Sequence, residues 1–404
     1  MFSLKAEVAA HPESALKAFW SEVHARGSPR VEPLEGDATR RWVTFVWRGE
    51  PSTRSVTVHA SLDGPLEGTG LMSHLGGTDV WYRSYRVPQD ARVAYSFGIN
   101  EAPFRPGEAW EDGSAWKPDP LNPRTYVIPK DDEDPTDHDI HQSVLELPGA
   151  PRQLDLTRAS GVAEGKVVLY RIRSATLKNE RRVWVYTPAT PANPRAPMEL
   201  LVLFDGGLYL HPIPTPVLLD NLISQKRIPP MVVVFVDSLG EARGRELPCF
   251  PPFARFLAEE LMPWIHARYP VSRLPSAVTL GGSSYGGLAA AYVALEHPET
   301  FGNVLSQSGA FWWAPDADPE AEWLTRRIAT MPAQPVKFFL GVGRLENGPI
   351  PGGRPNQLVV NRHLRDVLTA KRYRVRYRES GGAHQYLDWQ GTLADGLVAL
   401  HAPP

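Results

Sequence analysis

Short runs in which apolar and polar positions alternate fill the first third of the chain. Residues 42–47, 56–60, 80–85 and 93–97 are rich in β-branched and aromatic side chains, and Gly, Pro and Asp clusters separate them. No helical period of useful length intervenes, so this part predicts an antiparallel β-sandwich. Ahead of it, Leu16, Phe19, Trp20 and Val23 recur at the spacing of one helix face. From Val167 the pattern changes. Residues 167–172 and 182–186 read as a pair of strands, and 200–204 and 231–236 are unbroken apolar runs of the kind buried on both faces. Phe253, Phe256, Leu257, Leu261, Trp264 and Ile265 then form a single helical stripe. This alternation predicts an α/β domain, a mostly parallel sheet with helices on both faces. Between the two parts, 129–165 carries the acidic run Lys130-Asp131-Asp132-Glu133-Asp134 and Pro-containing stretches, which predict a solvated linker. The expected division is a β-sandwich domain at 1–150 and an α/β domain at 151–404. There is no internal repeat.

A chain of 404 residues is longer than one core normally organises, which agrees with two domains. Hydrophobic residues at 42% and charged residues at 22% are those of a globular protein. A net charge of -2 argues against a basic nucleic-acid-binding surface. With one cysteine, Cys249, no intrachain disulfide can form, which favours a reducing compartment. Glu7, His11, Glu13 and Lys17 interrupt the N-terminus where a signal peptide needs an apolar run, and no later stretch suits a membrane span. The expectation is a cytoplasmic protein without nucleic-acid or membrane partners. No metal-ligand spacing is present, so no cofactor is expected.

The most informative run is Gly281-Gly282-Ser283-Ser284-Tyr285-Gly286-Gly287, with a short apolar strand before it and Ala-rich helical sequence after it. It contains G-x-S-x-G as Gly282, Ser284 and Gly286, a nucleophile elbow of the α/β-hydrolase fold. A strand that turns abruptly into a helix strains the middle residue and needs small neighbours two positions away. Ser284 is thereby lifted to the positive end of the helix, and the N–H of Tyr285 faces a developing oxyanion. A Gly-rich turn without chemistry is the plainer alternative.

A serine nucleophile needs a base oriented by an acid, here in the chain order serine, acid, histidine. Four histidines follow Ser284. His297 ends the helix leaving the elbow, His363 falls in a helical run, and His401 sits in the tail. His384 lies in Gly381-Gly382-Ala383-His384, a loop directly after the strand 373–377, where α/β sites assemble. For the acid, Glu346 follows the apolar strand 336–341. Asp388 is a reserve, Asp316 and Asp318 are weaker, and an ordinary surface pairing of Glu346 with Arg344 is the plainer alternative. The second oxyanion amide is expected after an early strand, in Leu203-Phe204-Asp205-Gly206-Gly207, with Asp205 shaping the turn.

These residues resemble a known family. The elbow with Phe301-Gly302-Asn303 through Ser306-Gln307-Ser308-Gly309, together with Asp205-Gly206-Gly207 and Gly381-Gly382-Ala383-His384, is similar to enterochelin esterases and the wider esterase D-like hydrolases. The stretch Arg243-Gly244-Arg245-Glu246-Leu247-Pro248-Cys249 is typical of enterochelin esterases rather than formylglutathione hydrolases or feruloyl esterases. In the first domain Phe19-Trp20, Arg26-Gly27-Ser28-Pro29, Gly77-Thr78-Asp79-Val80-Trp81 and Asp119-Pro120-Leu121-Asn122-Pro123 look like the family's N-terminal domain. The resemblance implies an intracellular esterase that opens the trilactone of ferric catecholate siderophores such as enterobactin. It implies Ser284 as nucleophile, His384 as base, Glu346 as acid, and amides near Gly206 and Tyr285 as the oxyanion hole. Iron would enter only with the substrate. Two departures stand out: Ala383 and Gln385 flank His384 where the family often reads Gly-Gly-His-Asp, and Gly207 replaces a bulkier residue. An anionic aromatic substrate calls for guanidinium groups and flat walls, for which Arg243, Arg245, Arg344, Trp312 and Trp313 are candidates. An esterase for another aryl or feruloyl ester, and a non-catalytic catecholate binder on a hydrolase fold, are the competing readings.

Overall fold

The computed structural model of the chain describes residues 2–62, 70–101, 115–189 and 197–402. Two compact units divide it: Met1–Pro151 with the separate loop Gly381–Gln385, and Arg152–Ser380 with Tyr386–Pro404.

The first unit begins with α1 (Phe2–Ala10) and α2 (Pro12–Arg26), followed by β1 (Arg30–Leu34), β2 (Asp37–Arg48), β3 (Val56–His59), β4 (Ser73–His74), β5 (Val80–Pro88), β6 (Arg92–Ile99), β7 (Thr125–Ile128) and β8 (Ile140–Glu146). They pair as two four-stranded sheets, β1-β2-β5-β4 and β3-β6-β8-β7, antiparallel throughout. Alternating inward residues of the two sheets meet. Phe45 of β2 lies edge-on to Tyr95 of β6 with ring centroids 4.8 Å apart, and Trp47 meets Phe97 at 5.2 Å. The expected sandwich therefore forms, and α2 buries Phe19, Trp20 and Val23 against Val46 and Val80.

One expectation is corrected here. The linker read across 129–165 contains β8, which is paired on both sides, with β6 and with β7, and buries Ser143 and Leu145. Only three or four inward positions mark this strand, too few for a period to show beside an acidic run. The acidic run is the loop joining β7 to β8. Its carboxylates of Asp131, Asp134, Asp137 and Asp139 accept bonds from backbone N–H groups of residues 130–138, closing turns rather than repelling one another.

The second unit holds an eight-stranded sheet built from β9 (Lys166–Ser174), β10 (Asn179–Thr187), β11 (Glu199–Phe204), β12 (Met231–Val236), β13 (Val278–Ser283), β14 (Asn303–Gln307), β15 (Lys337–Gly343) and β16 (Arg374–Ser380). The order is β16-β15-β14-β13-β11-β12-β10-β9, parallel from β16 to β12 and antiparallel at β10 and β9. Its helices are α3 (Gly206–Leu210), α4 (Thr215–Ser224), α5 (Arg243–Glu246), α6 (Pro251–Arg255), α7 (Met262–His266), α8 (Tyr285–Glu296), α9 (Trp323–Thr330), α10 (Gln357–Ala370) and α11 (Tyr386–His401). The stripe read across 253–265 is wound as a π-helical stretch, Phe256–Leu261, between α6 and α7. Strand residues send alternate side chains to the two faces. Leu200, Val202 and Phe204 pack with Phe253, Leu288 and Leu364, while Leu201 and Leu203 pack with Leu218, Leu222, Leu393 and Leu397. Two buried layers explain why these strands are apolar without interruption. The chain leaves β11 toward β12 on one side and reaches β13 on the other, so a topological switch point opens between β11 and β13. Among the described residues no helix is long and apolar enough to cross a membrane.

Candidate active site

The switch point is where the two glycine-rich turns meet. β13 ends at Ser283 and α8 begins at Tyr285, leaving Ser284 between them with φ 56° and ψ -121°. A non-glycine residue held at positive φ costs about 1–3 kcal/mol and persists only where its surroundings impose it. Here they do: Ser284 N–H donates to Gln307 O at 3.0 Å, and Ser284 O accepts from Leu288 N and Ala310 N at 3.1 and 3.0 Å. The small neighbours are required. A Cβ on Gly282 would sit 2.8 Å from the Gly286 carbonyl carbon, and one on Gly287 would sit 2.4 Å from Ser306 Oγ. Ser284 is half-buried at the carboxyl edge of the sheet, at the start of a twelve-residue helix.

The loop after β11 lies against this elbow, since a Cβ on Gly286 would be 3.4 Å from Asp205 Oδ2. Asp205 is buried in the left-handed conformation, φ 55° and ψ 50°, which turns the strand into α3. A side chain on Gly206 would strike Phe235 of β12 at 2.8 Å, which is why glycine stands there. Gly206 and Tyr285 are each the first residue of a helix, so their N–H groups have no partner inside it. These are the two groups expected to meet an oxyanion.

Asp205 holds a charge that had to be answered. Arg243 Nε and Nη2 donate to its two carboxylate oxygens at 2.7 and 2.8 Å, and Ser238 Oγ donates to Oδ1 at 2.6 Å. Burial opposes the Arg243 charge, but the Asp205 carboxylate outweighs it and its pKa stands above the ordinary value. Thus Arg243, expected to bind substrate anions, already has a bidentate partner. One helical turn on, Glu246 pairs with the buried Arg181 at 2.7 Å. The Arg-x-x-Glu spacing therefore ties α5 down at both ends, toward the loop after β11 and toward β10. Arg245 points elsewhere, two-thirds exposed.

Glu346 is buried in the loop after β15. Its Oε1 accepts from Ser308 Oγ at 2.5 Å and from Gly343 N at 2.7 Å, and Trp389 Nε1 donates to the same Ser308 Oγ at 3.0 Å. Ser308, itself at φ 49°, was missed in the sequence; it is one residue past β14, whose end supports the elbow through Gln307. Among the reserves, Asp318 pairs with Arg326 at 2.7 Å, and Asp388 accepts from Ser380 Oγ at 2.8 Å. Arg344 N–H donates to Ser380 O at 3.0 Å.

His384 is exposed, four residues beyond the end of β16, where Ser380 pairs with Gly343. Its loop belongs to the first unit and is fastened there by its neighbour. Gln385 exchanges two bonds with the backbone of Ala94, at 2.8 and 2.9 Å, so a residue that departs from the family pattern has a structural task. Gly381 sits where a Cβ would strike Asp90 O at 2.4 Å.

The two tryptophans part company. Trp313 packs edge-on against Trp323 at 6.1 Å, whereas Trp312 lies 5.7 Å from the ring of Tyr285. Two residues that the sequence did not suggest join the site. Arg354 lies over the Trp312 ring at 5.0 Å. Tyr386 opens α11, with its phenol pushed up to about 12 by burial and the Asp205 charge, against the pull of Arg243. The remaining histidines are engaged elsewhere: His297 with Glu299, His363 with Glu322, and His401, the last residue of α11 rather than a loose tail, with Glu199 and Thr279. Among the described residues no group of three or more His, Cys, Asp or Glu is placed to hold a metal ion.

Comparison with known proteins adds a family context. Residues 174–400, more than half the chain, match the family described as putative esterase, and residues 42–156 match that described as enterochelin esterase, N-terminal. The chain is 30% identical to an iron(III) enterobactin esterase of Escherichia coli O6:H1, over 96% of each. It is also 30% identical to an iron(III) salmochelin esterase of the same organism, over 98% of this chain and 97% of that one. Among solved structures, the enterobactin esterase of Shigella flexneri in the presence of enterobactin superposes with a TM-score of 0.70 and 27% identity, covering 94% of this chain and 97% of that one.

Proposed function

The chain belongs to the enterochelin esterase family and is an ester hydrolase, and from that premise we propose that it cleaves the trilactone of catecholate siderophores such as enterobactin through a Ser284–His384–Glu346 triad. The observation that carries the chemical part is Ser284 at positive φ between β13 and α8, beside the loop of Gly206. In the reaction Ser284 Oγ attacks a lactone carbonyl while His384 takes the hydroxyl proton. The carbonyl oxygen gains charge facing the N–H groups of Gly206 and Tyr285. The ester C–O bond then breaks, and His384 returns the proton to the departing serine alkoxide of the substrate. Water repeats the sequence on the acyl-enzyme, with His384 as base, and frees the acid and Ser284. Glu346, held by Ser308 and Gly343, keeps the imidazole oriented.

The reaction needs no resident cofactor, and iron arrives as cargo of the substrate. Release of that iron would serve a reducing cytoplasm, the compartment that a single buried thiol, Cys249, suits. The decisive experiment is mass spectrometry of products after incubation with enterobactin, with and without iron, beside a Ser284→Ala control. Linear and monomeric dihydroxybenzoyl-serine should accumulate with the native protein alone. Intact trilactone after prolonged incubation, or equal cleavage by the Ser284→Ala protein, would overturn the proposal.

A further inference from the structure

Two rings flanked by two cations form a row that includes Tyr285, the residue after the nucleophile of the proposed reaction. Arg243 lies over the ring of Tyr285 at 5.8 Å, Tyr285 faces Trp312 at 5.7 Å, and Arg354 lies over Trp312 at 5.0 Å. The two ends of this row differ. Arg243 is neutralised by Asp205 through two hydrogen bonds. Arg354, half-buried, has no carboxylate in ion-pair distance among the described residues, and its guanidinium lies over the Trp312 indole. A half-buried guanidinium set over a ring, with no carboxylate to neutralise it, is suited to receive an anion.

The surroundings hold that end in place. Trp312 Nε1 donates to Gln357 Oε1 at 2.7 Å, and Gln357 Nε2 donates to Gly309 O at 2.6 Å and to Ser308 O, so the ring is tied to the turn that follows β14. Arg354 closes a tight turn by bridging to Ile350, with Gly352 and Gly353 at positive φ, two residues before Asn356 caps α10. The positive field reaches back toward the elbow: burial raises the Tyr285 phenol, while Arg354 and Arg243 pull it down.

We infer that Arg354 and Trp312 form a subsite for a negatively charged aromatic ring, the deprotonated catechol of the substrate's acyl arm. The ring's π-face meets Trp312, and its phenolate oxygens take the planar N–H donors of Arg354. A neutral ring would use the first contact and leave the second unused. Charge at this position, rather than aromaticity alone, then separates catecholate esters from other aryl esters. The inference rests on the siderophore reading above.

Binding measured without turnover tests it. In a Ser284→Ala background, calorimetric titration would compare ferric enterobactin with the neutral 2,3-dimethoxybenzoyl-serine methyl ester. Adding Arg354→Gln should weaken ferric enterobactin by about tenfold or more, and the neutral ligand by roughly threefold at most. Arg354→Lys, which keeps charge but not the planar fork, should recover part of the loss. Equal weakening of both ligands, or none for ferric enterobactin, would remove Arg354 from the binding site. Failure of the esterase reading would register separately, as intact enterobactin with the native protein, whatever these affinities prove to be.

Discussion

The two edges of the catalytic sheet carry similar side chains and have opposite prospects. At the amino edge, His401 bonds Glu199 through Nδ1 and lies 2.9 Å from Thr279 Oγ1 through Nε2. That is an acid, an imidazole and a hydroxyl in the connectivity of a catalytic triad. Yet Thr279 is fully buried near the start of β13 in regular strand geometry. Five residues along the same strand and its turn, Ser284 is half-buried, strained and set at the head of α8. Residue types alone do not make a nucleophile. A backbone that exposes the hydroxyl and turns amides toward the charge it will create does, while the same types sealed inside a core make a staple for the C-terminal helix.

The comparison can be broken from either edge. The largest effect is expected for Ser284→Ala, which should lower kcat/KM for aryl and lactone esters by about a thousandfold or more. Thr279→Val at the other edge should change it by no more than about twofold, and equal effects would erase the distinction. Asp205→Asn comes next. Asparagine tolerates the left-handed backbone, so the turn should survive while Arg243 loses its counter-charge beside the proposed oxyanion amides, and kcat should fall by roughly ten- to a hundredfold. A kcat within about twofold would show that the pair only supports α5.

At the amino edge, His401→Ala should cost about 1–3 kcal/mol, read from urea midpoints, because it strands the Thr279 hydroxyl and the Glu199 carboxylate. Its kcat/KM should stay near the native value. The smallest effect concerns Glu379 on β16, whose pKa lies below the ordinary value chiefly through the Arg362 hydrogen bond, with further help from Tyr377 and Arg344. A lowered carboxylate pKa stabilises the folded state above the unfolded value and loses that contribution as pH falls through the folded one. Arg362→Gln should therefore destabilise by less than about 1 kcal/mol near pH 7, with the difference vanishing in acid. A deficit that grows toward low pH would contradict the assignment.

Much of this was readable before any coordinates. The alternation of 42–47 and 80–85 announced β2 and β5, and the unbroken runs at 200–204 and 231–236 announced strands covered on both sides, because period and face are local properties. Gly282, Ser284 and Gly286 marked the elbow for a local reason too: the turn brings positions two apart into backbone contact. β8 escaped because a strand of seven residues beside charged turns carries little signal of its own. Trp312 and Trp313 looked alike as neighbours, yet the turn that follows β14 sends one ring to Arg354 and the other to Trp323.

The chain's own letters thus fixed the two architectures, the elbow and the family, since each depends on residues close together or on a pattern that repeats. What only folding decided is which charges answer one another. Arg243 meets Asp205 across 38 residues, Ser308 meets Glu346 across another 38, and His401 meets Glu199 across 202. No local pattern encodes such partners, because electrostatic pairing depends on distance in space and on the water that burial removes.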